Sequence, residues 1–339
     1  MQIKLPAFLF LAAAACGGSK PATTPVKPAQ PDQTAIAANA AAAQAEVAEQ
    51  KAKEPPPGPA LVATISEGIA TPESMLYDVA NDRYLISNVN GAPLTVDNNG
   101  YIATLAADGT TVEKWIVGGA NKVTLNAPKG MAIAGGVLYV TDITTVRKFD
   151  LKTGAAKGEI KIAGATFLND LAVGANDVLY VSDSGLKAGK KDFEPTGSDA
   201  VYKIDTKAKT AKAVKVAKDK SLDKPNGLSI SATNQVWVSP FSSNNIYMLD
   251  DAGKKGTVVQ LHGGGLDGIV DTGKHIIVSS WEKSTIYAAV SGSEPLTFAP
   301  LIENVSSPAD IGYDAKRNRL LLPRMMDNKV EIYQLPAAK

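Results

Sequence analysis

The sequence predicts an all-β fold: a six-bladed β-propeller preceded by a lipoprotein-type signal and a disordered Ala/Pro-rich tether. Three observations predict it. A unit of about 40 residues recurs from residue 60 onward. Within each unit two short apolar strands flank a Gly/Asn/Asp turn. Ahead of the repeats lie a leader and a spacer whose composition cannot build a core.

The leader comes first. Lys4 supplies a positive charge, Leu5 to Ala15 form an apolar run, and Ala13-Ala14-Ala15 precede Cys16. That run is too short to span a bilayer as a helix, so residues 1–15 are expected to be a signal peptide. Cys16 after small residues resembles a lipobox, with Ala13 where a leucine is usual, and a lipid on Cys16 is the expected membrane attachment. The alternative is an ordinary signal peptide with an incidental cysteine. Cys16 is the only cysteine, which excludes disulfides and Cys-built zinc sites within the chain. Residues 16–58 are rich in Ala, Pro, Thr and Gln and read as a lipid-anchored flexible linker. An exported bacterial lipoprotein anchored to the cell envelope is therefore expected, facing the periplasm or exposed at the cell surface.

Thirty-five Lys+Arg against 34 Asp+Glu leave a formal charge of +1. No global field would draw such a chain onto nucleic acid, and a small neutral ligand and a monomeric state fit the balance better.

The repeats span residues 59–336. Each opens on a Pro or Leu, one variable residue, and a small or acidic residue: Pro72-Glu73-Ser74, Pro128-Lys129-Gly130, Leu168-Asn169-Asp170, Pro225-Asn226-Gly227, Leu266-Asp267-Gly268 and Pro308-Ala309-Asp310. A unit of this size holding four short strands is a propeller blade. The preceding segment "ALVATI", residues 60–65, is predicted to supply the outer strand of the last blade and close the ring without a free sheet edge.

In a propeller the innermost strands begin at one end of the central channel, so Glu73, Lys129, Asn169, Asn226, Asp267 and Ala309 should form a ring. Core packing does not call for polar groups there, and burying them costs free energy unless they are paired or liganded. Two carboxylates and two amides suit a hard divalent cation, Ca²⁺ foremost, held by Glu73, Asn169, Asn226 and Asp267. The alternative is a channel cap of hydrogen bonds and water.

Those openings carry a resemblance. "PES" with Glu73, "ND" with Asn169, "PNGL" with Asn226 and "LDG" with Asp267 match, in type and order, the motifs of the senescence marker protein/gluconolactonase/luciferin-regenerating enzyme family. More distantly the chain resembles the paraoxonases. The resemblance implies a six-bladed propeller with a channel-bound divalent cation. Two positions depart from it: Phe167 stands where the gluconolactonase branch often carries an Arg that contacts the sugar lactone, and Lys129 where paraoxonase-like relatives place a catalytic His. The first departure points away from sugar-acid lactones. The second leaves two geometries for Lys129, an ammonium turned toward Asp142 or Asp183, or one paired with Glu73 in the cation's place.

A cation at the ring would polarise an ester or lactone carbonyl, with Asp267 or Glu73 as the catalytic proton acceptor. Lys129, Phe167, Asp170, Phe241, Trp281 and Arg324 are the candidate substrate-binding residues. The extra residues of the two long units, around Gly91 to Gly100 and Ser184 to Asp199, are expected to overhang the ring. No G-x-S-x-G occurs, and His262 and His275 are the only histidines, so a Ser-His-Asp esterase is disfavoured. Two function classes follow: a metal-dependent hydrolase of a small ester or lactone, or a non-catalytic envelope propeller binding a peptide, glycan or partner protein.

Overall fold

The computed structural model describes residues 58–337. The expected signal, Cys16 and nearly all of the 16–58 tether lie outside them. The described residues form six four-stranded antiparallel sheets and one two-stranded hairpin, with helix limited to three short 3₁₀ turns. The chain is a six-bladed propeller, as the repeats predict.

The innermost strands are Pro72–Asp78, Pro128–Ala134, Leu168–Val173, Pro225–Ile230, Leu266–Asp271 and the short Gly312–Asp314. Ala60–Ile65 pairs antiparallel with Lys329–Gln334 as the outer strand of the sixth blade, so the last sheet joins the two ends of the repeat region. Backbone bonds between the first and last inner strands complete the ring, with Asp310 N–H donating to the Glu73 carbonyl at 2.9 Å.

Period-2 alternation divides each blade's apolar side chains between its two neighbours. In the first blade's second strand, Arg83–Asn88, Tyr84 and Ile86 join Leu321, Val330 and Ile332 of the sixth blade, while Leu85 joins Met131, Leu138 and Val140 of the second. All are buried. Each contributes about 1.5–3 kcal/mol of transfer free energy, so the blades are held chiefly by one another.

Glycine is required where inner strands crowd together. A Cβ at Gly130 would fall on the Asp170 carboxylate, and one at Gly268 on the backbone of Asp310 and Ile311. This explains the small residue after the variable one in those openings.

The long insertions lie where expected. Residues 89–100 follow the first blade's second strand. The second insertion carries a hairpin, Leu186–Ala188 with Phe193–Pro195, that the sequence reading did not anticipate. Ala213–Lys218, within the lysine-rich segment from Lys203 to Lys224, is the outer strand of the third blade.

Candidate functional site

Every variable residue of the first five openings sits at a break in β register. The pairing of inner and second strands shifts between Pro72 and Ser74, Pro128 and Met131, Leu168 and Leu171, Pro225 and Gly227, and Leu266 and Ile269. Such irregularities free one residue from the ladder and re-aim its side chain. Here they turn Glu73, Lys129, Asn169, Asn226 and Asp267 onto one cavity of about 460 Å³.

A set of hydroxyls from the second strands fixes these bulges. Thr141 Oγ1 donates to the Asn169 carbonyl at 2.5 Å, Ser182 Oγ to that of Asn226 at 2.6 Å, and Ser279 Oγ to that of Ala309 at 2.9 Å. Ser239 Oγ donates likewise to the Asp267 carbonyl. Each hydroxyl reaches from one blade to the ring residue of the next, satisfying a carbonyl that the bulge has removed from its ladder. The sequence reading missed this set, although its signal, a Ser or Thr in the last turns of "VTD", "VSD", "WVS" and "VSS", is visible.

The ring side chains are oriented by their nitrogens or by one oxygen. Asn169 Nδ2 donates to Ser184 Oγ at 3.2 Å, Asn226 Nδ2 to the Leu266 carbonyl at 3.4 Å, and Trp281 Nε1 to Asp267 Oδ2 at 2.8 Å. What remains is three buried acceptor oxygens with no hydrogen-bond partner: Glu73 Oε2, Asn169 Oδ1 and Asp267 Oδ1. Bare acceptors of this kind are costly unless something electropositive meets them. A donor set of two carboxylates and two amides therefore fits a hard oxygen-seeking cation. Among the described residues no group of three or more His, Cys, Asp or Glu is gathered as a metal cluster, so such a site would depend on its two asparagines.

The electrostatics agree. Burial, then the charges of Asp267 and Asp310, push Glu73 well above the usual carboxylate range. Burial, then Asp310, raises Asp267 to about 8, against which the Trp281 and Asn226 hydrogen bonds work. Asp310 is raised by burial to about 7 despite accepting from Ser74 Oγ at 2.5 Å. Asp310 follows Ala309 in its blade's opening as Asp170 follows Asn169, and it belongs to this acidic cluster although sequence reasoning did not single it out as a site residue.

Lys129 adopts neither expected geometry. Its Nζ donates to the Ala127 carbonyl at 3.0 Å and lies 4.7 Å from the Phe167 ring centroid. It forms no ion pair within 4.0 Å among the described residues. Asp142 is instead engaged by Arg147 at 2.8 Å and by the Asn126 and Ala127 N–H groups, and Asp183 by the N–H groups of Thr166, Phe167 and Gly185. Burial lowers Lys129 to about 8, with Glu73 and then Asp142 opposing.

The remaining candidates divide. Phe167, Phe241 and Trp281 line the cavity, Phe241 and Trp281 in edge contact at 6.5 Å and Phe167 against Phe193 at 5.7 Å. Asp170, expected to bind substrate, does not line it: its two oxygens accept from the Leu171 and Leu228 N–H groups, each at 2.6 Å. Arg324 is drawn aside by Asp327 at 2.6 Å and Glu331 at 2.9 Å and does not line the cavity. Ala309 is buried and brings no polar side chain; its blade contributes Met325 and Met326 instead, from a 3₁₀ turn, Met325–Asp327. Both insertions reach the cavity, through Gly91-Ala92-Pro93 and through Ser184, Leu186 and Phe193. Neither histidine lines it.

Solved structures place this architecture among known propellers. A gluconolactonase from Xanthomonas campestris superposes with a TM-score of 0.61 at 17% identity, over 84% of this chain and 96% of that one. The fold is shared with gluconolactonases. It is shared as well with a streptogramin B lyase, at a TM-score of 0.54 and 12% identity over 80% of this chain and 96% of that one. A catalytically inactive virginiamycin B lyase from Staphylococcus aureus, solved with quinupristin, gives 0.53 at 13% identity over 80% and 98%. No protein-family model matches the sequence, and no curated protein matches it either. At these identities the likeness concerns the fold, which hosts both lactonase and lyase chemistry, so function rests on the cavity.

Proposed function

We propose that the cavity is the site of a divalent-cation-dependent hydrolase acting on a small ester or lactone with an apolar acyl or aryl part. The observation that carries this reading is that three residues lining one aromatic-walled cavity, Glu73, Asn169 and Asp267, each keep a buried oxygen that no donor meets. The gluconolactonase neighbour supports it at the level of fold.

In this reading Glu73, Asn169, Asn226 and Asp267 hold Ca²⁺. When bound, the ion supplies Lewis-acid polarisation of the scissile carbonyl. The chain does the rest. Trp281 fixes Asp267 through Oδ2 and leaves Oδ1 without a donor. Asp267 or Glu73 takes the proton of the attacking water. Lys129 uses one N–H on the Ala127 carbonyl and presents the others to a ligand oxygen. Phe167, Phe241 and Trp281 exclude water and seat the apolar part, which a polyhydroxylated sugar lactone lacks.

The test is hydrolysis of phenyl acetate, an alkyl-substituted lactone and gluconolactone before and after chelation, with calcium restored. Hydrolysis that chelation abolishes and calcium rescues, with the apolar substrates preferred, supports the proposal. Rates equal to buffer for all three, with no calcium uptake, would leave a non-catalytic binding propeller.

A further inference from the structure

Lys129 has no role assigned by the hydrolase chemistry that an arginine or a water could not fill, and its surroundings are unusual for a lysine. Its side chain is 1% exposed, yet it lines the cavity. Two carboxylates act on it: Glu73, the stronger, makes no ion pair with it within 4.0 Å, and Asp142 is occupied by Arg147 and backbone N–H groups. One hydrogen bond, to the Ala127 carbonyl, and the face of Phe167 are its contacts at Nζ. The cavity mouth is apolar: Phe193 is 42% exposed, Phe241 39% and Met326 68%, each from a different blade.

From this geometry we infer that Lys129 is an imine-forming amine, a covalent site for small apolar aldehydes or ketones that enter through the aromatic mouth. A lysine buried in an apolar cavity without an ion pair gives up its proton more readily than a hydrated surface lysine, and the neutral amine carries the lone pair that attacks. The Nζ lone pair adds to the carbonyl carbon and the C=O π pair moves to oxygen. One proton passes from nitrogen to that oxygen through water to give the carbinolamine; the second N–H proton then reaches the hydroxyl, which leaves as water as the nitrogen lone pair forms the C=N bond. Carbonyl and primary amine give imine and water, with no change of oxidation state. Burial adds to the effect, because an amine brought down to about 8 is far more often uncharged near neutrality than one at the ordinary lysine value of 10.5.

The inference is independent of calcium and of ester hydrolysis, and so is its test. The full chain is treated with benzaldehyde and borohydride at about pH 7.5, where ordinary lysines are almost wholly charged, and the benzylated residues are mapped by peptide mass spectrometry. The expected result is labelling of Lys129 at least ~10-fold above the mean of the other lysines, retained with calcium or chelator present. Lys129→Arg, which keeps the charge and cannot form the imine, should lose that adduct and no other. Lys129 labelled no faster than exposed lysines such as Lys161 in folded protein, or an unchanged cavity adduct in Lys129→Arg, would overturn the inference.

Discussion

Two sets of buried carboxylates can be compared within this propeller. Asp78, Asp142 and Asp314 are wholly buried, and each meets an arginine: Arg83 at 2.9 Å, Arg147 at 2.8 Å and Arg317 at 3.0 Å, with further N–H and O–H donors around them. Glu73 and Asp267 are nearly as buried, yet each keeps an oxygen that nothing meets. Burial alone therefore does not mark a site. The distinction is whether the fold supplies a hydrogen-bonded ion pair, and at the ring it does not: Lys129 acts on Glu73 from beyond 4.0 Å.

Removing one carboxylate from each set should have opposite effects. Asp267→Asn should lower calcium affinity by more than ~100-fold and abolish chelator-sensitive hydrolysis, since a ring ligand matters more than the outer-shell groups whose loss costs ~10–100-fold. Its melting temperature in chelator should hold or rise, because an uncompensated buried acid has gone. Asp142→Asn should behave in the opposite way, destabilising the fold by about 3 kcal/mol as Arg147 loses the buried one of its two carboxylates and the Asn126 and Ala127 N–H groups lose a charged acceptor. If both mutants lose stability equally, the two sets are not different in kind. Calcium titrations and thermal melts read both outcomes.

The second effect is on pH. Asp267 near 8 and Asp310 near 7 stand above the usual 3.8, so between those values the folded chain binds more protons than the unfolded one. Stability in chelator should therefore fall as pH rises from about 4 to about 8. Lys129, lowered from 10.5 to about 8, gives the opposite slope only above that value. Calcium requires the deprotonated carboxylates, so its affinity should rise over the same acidic-to-neutral window with release of protons. A chelated protein whose melting point rises from pH 5 to 8 would contradict the ring electrostatics.

The smallest effect concerns the hydroxyls. Ser239→Ala leaves the buried Asp267 carbonyl without its donor, which should cost about 1–3 kcal/mol and weaken calcium by up to ~10-fold through a displaced Asp267. Thr141→Ser keeps the hydroxyl and should leave calcium affinity within ~2-fold.

The propeller was legible because its evidence repeats. Six openings in register and alternating strands state the same unit several times, and the edge strand Ala60–Ile65 has a place only if the ring closes. The ring positions were legible for the same reason, since a polar residue recurs at each bulge. What the repeat could not reveal is pairing across blades. Lys129 was expected to face Glu73 or an aspartate at a second-strand end. Its actual partners, the Ala127 carbonyl and the Phe167 ring, follow from Arg147 having claimed Asp142. Arg324 was placed at the right end of its strand, but Asp327 and Glu331 on the following turn and strand hold it away. Asp310 and the two methionines come from the sixth blade, whose short inner strand departs from the pattern of the other five.

The proposed site requires that the ring oxygens take a cation and that Lys129 does not stand in its place. Calorimetric titration of Ca²⁺ into wild type and Lys129→Met, with thermal melts alongside, separates the two. One calcium per chain is expected for wild type and equal or tighter binding for Lys129→Met, because a nearby positive charge is removed while an apolar stem is retained. No heat of binding with wild type, together with a lowered melting point for Lys129→Met, would contradict it and assign the charge balance of the ring to the lysine.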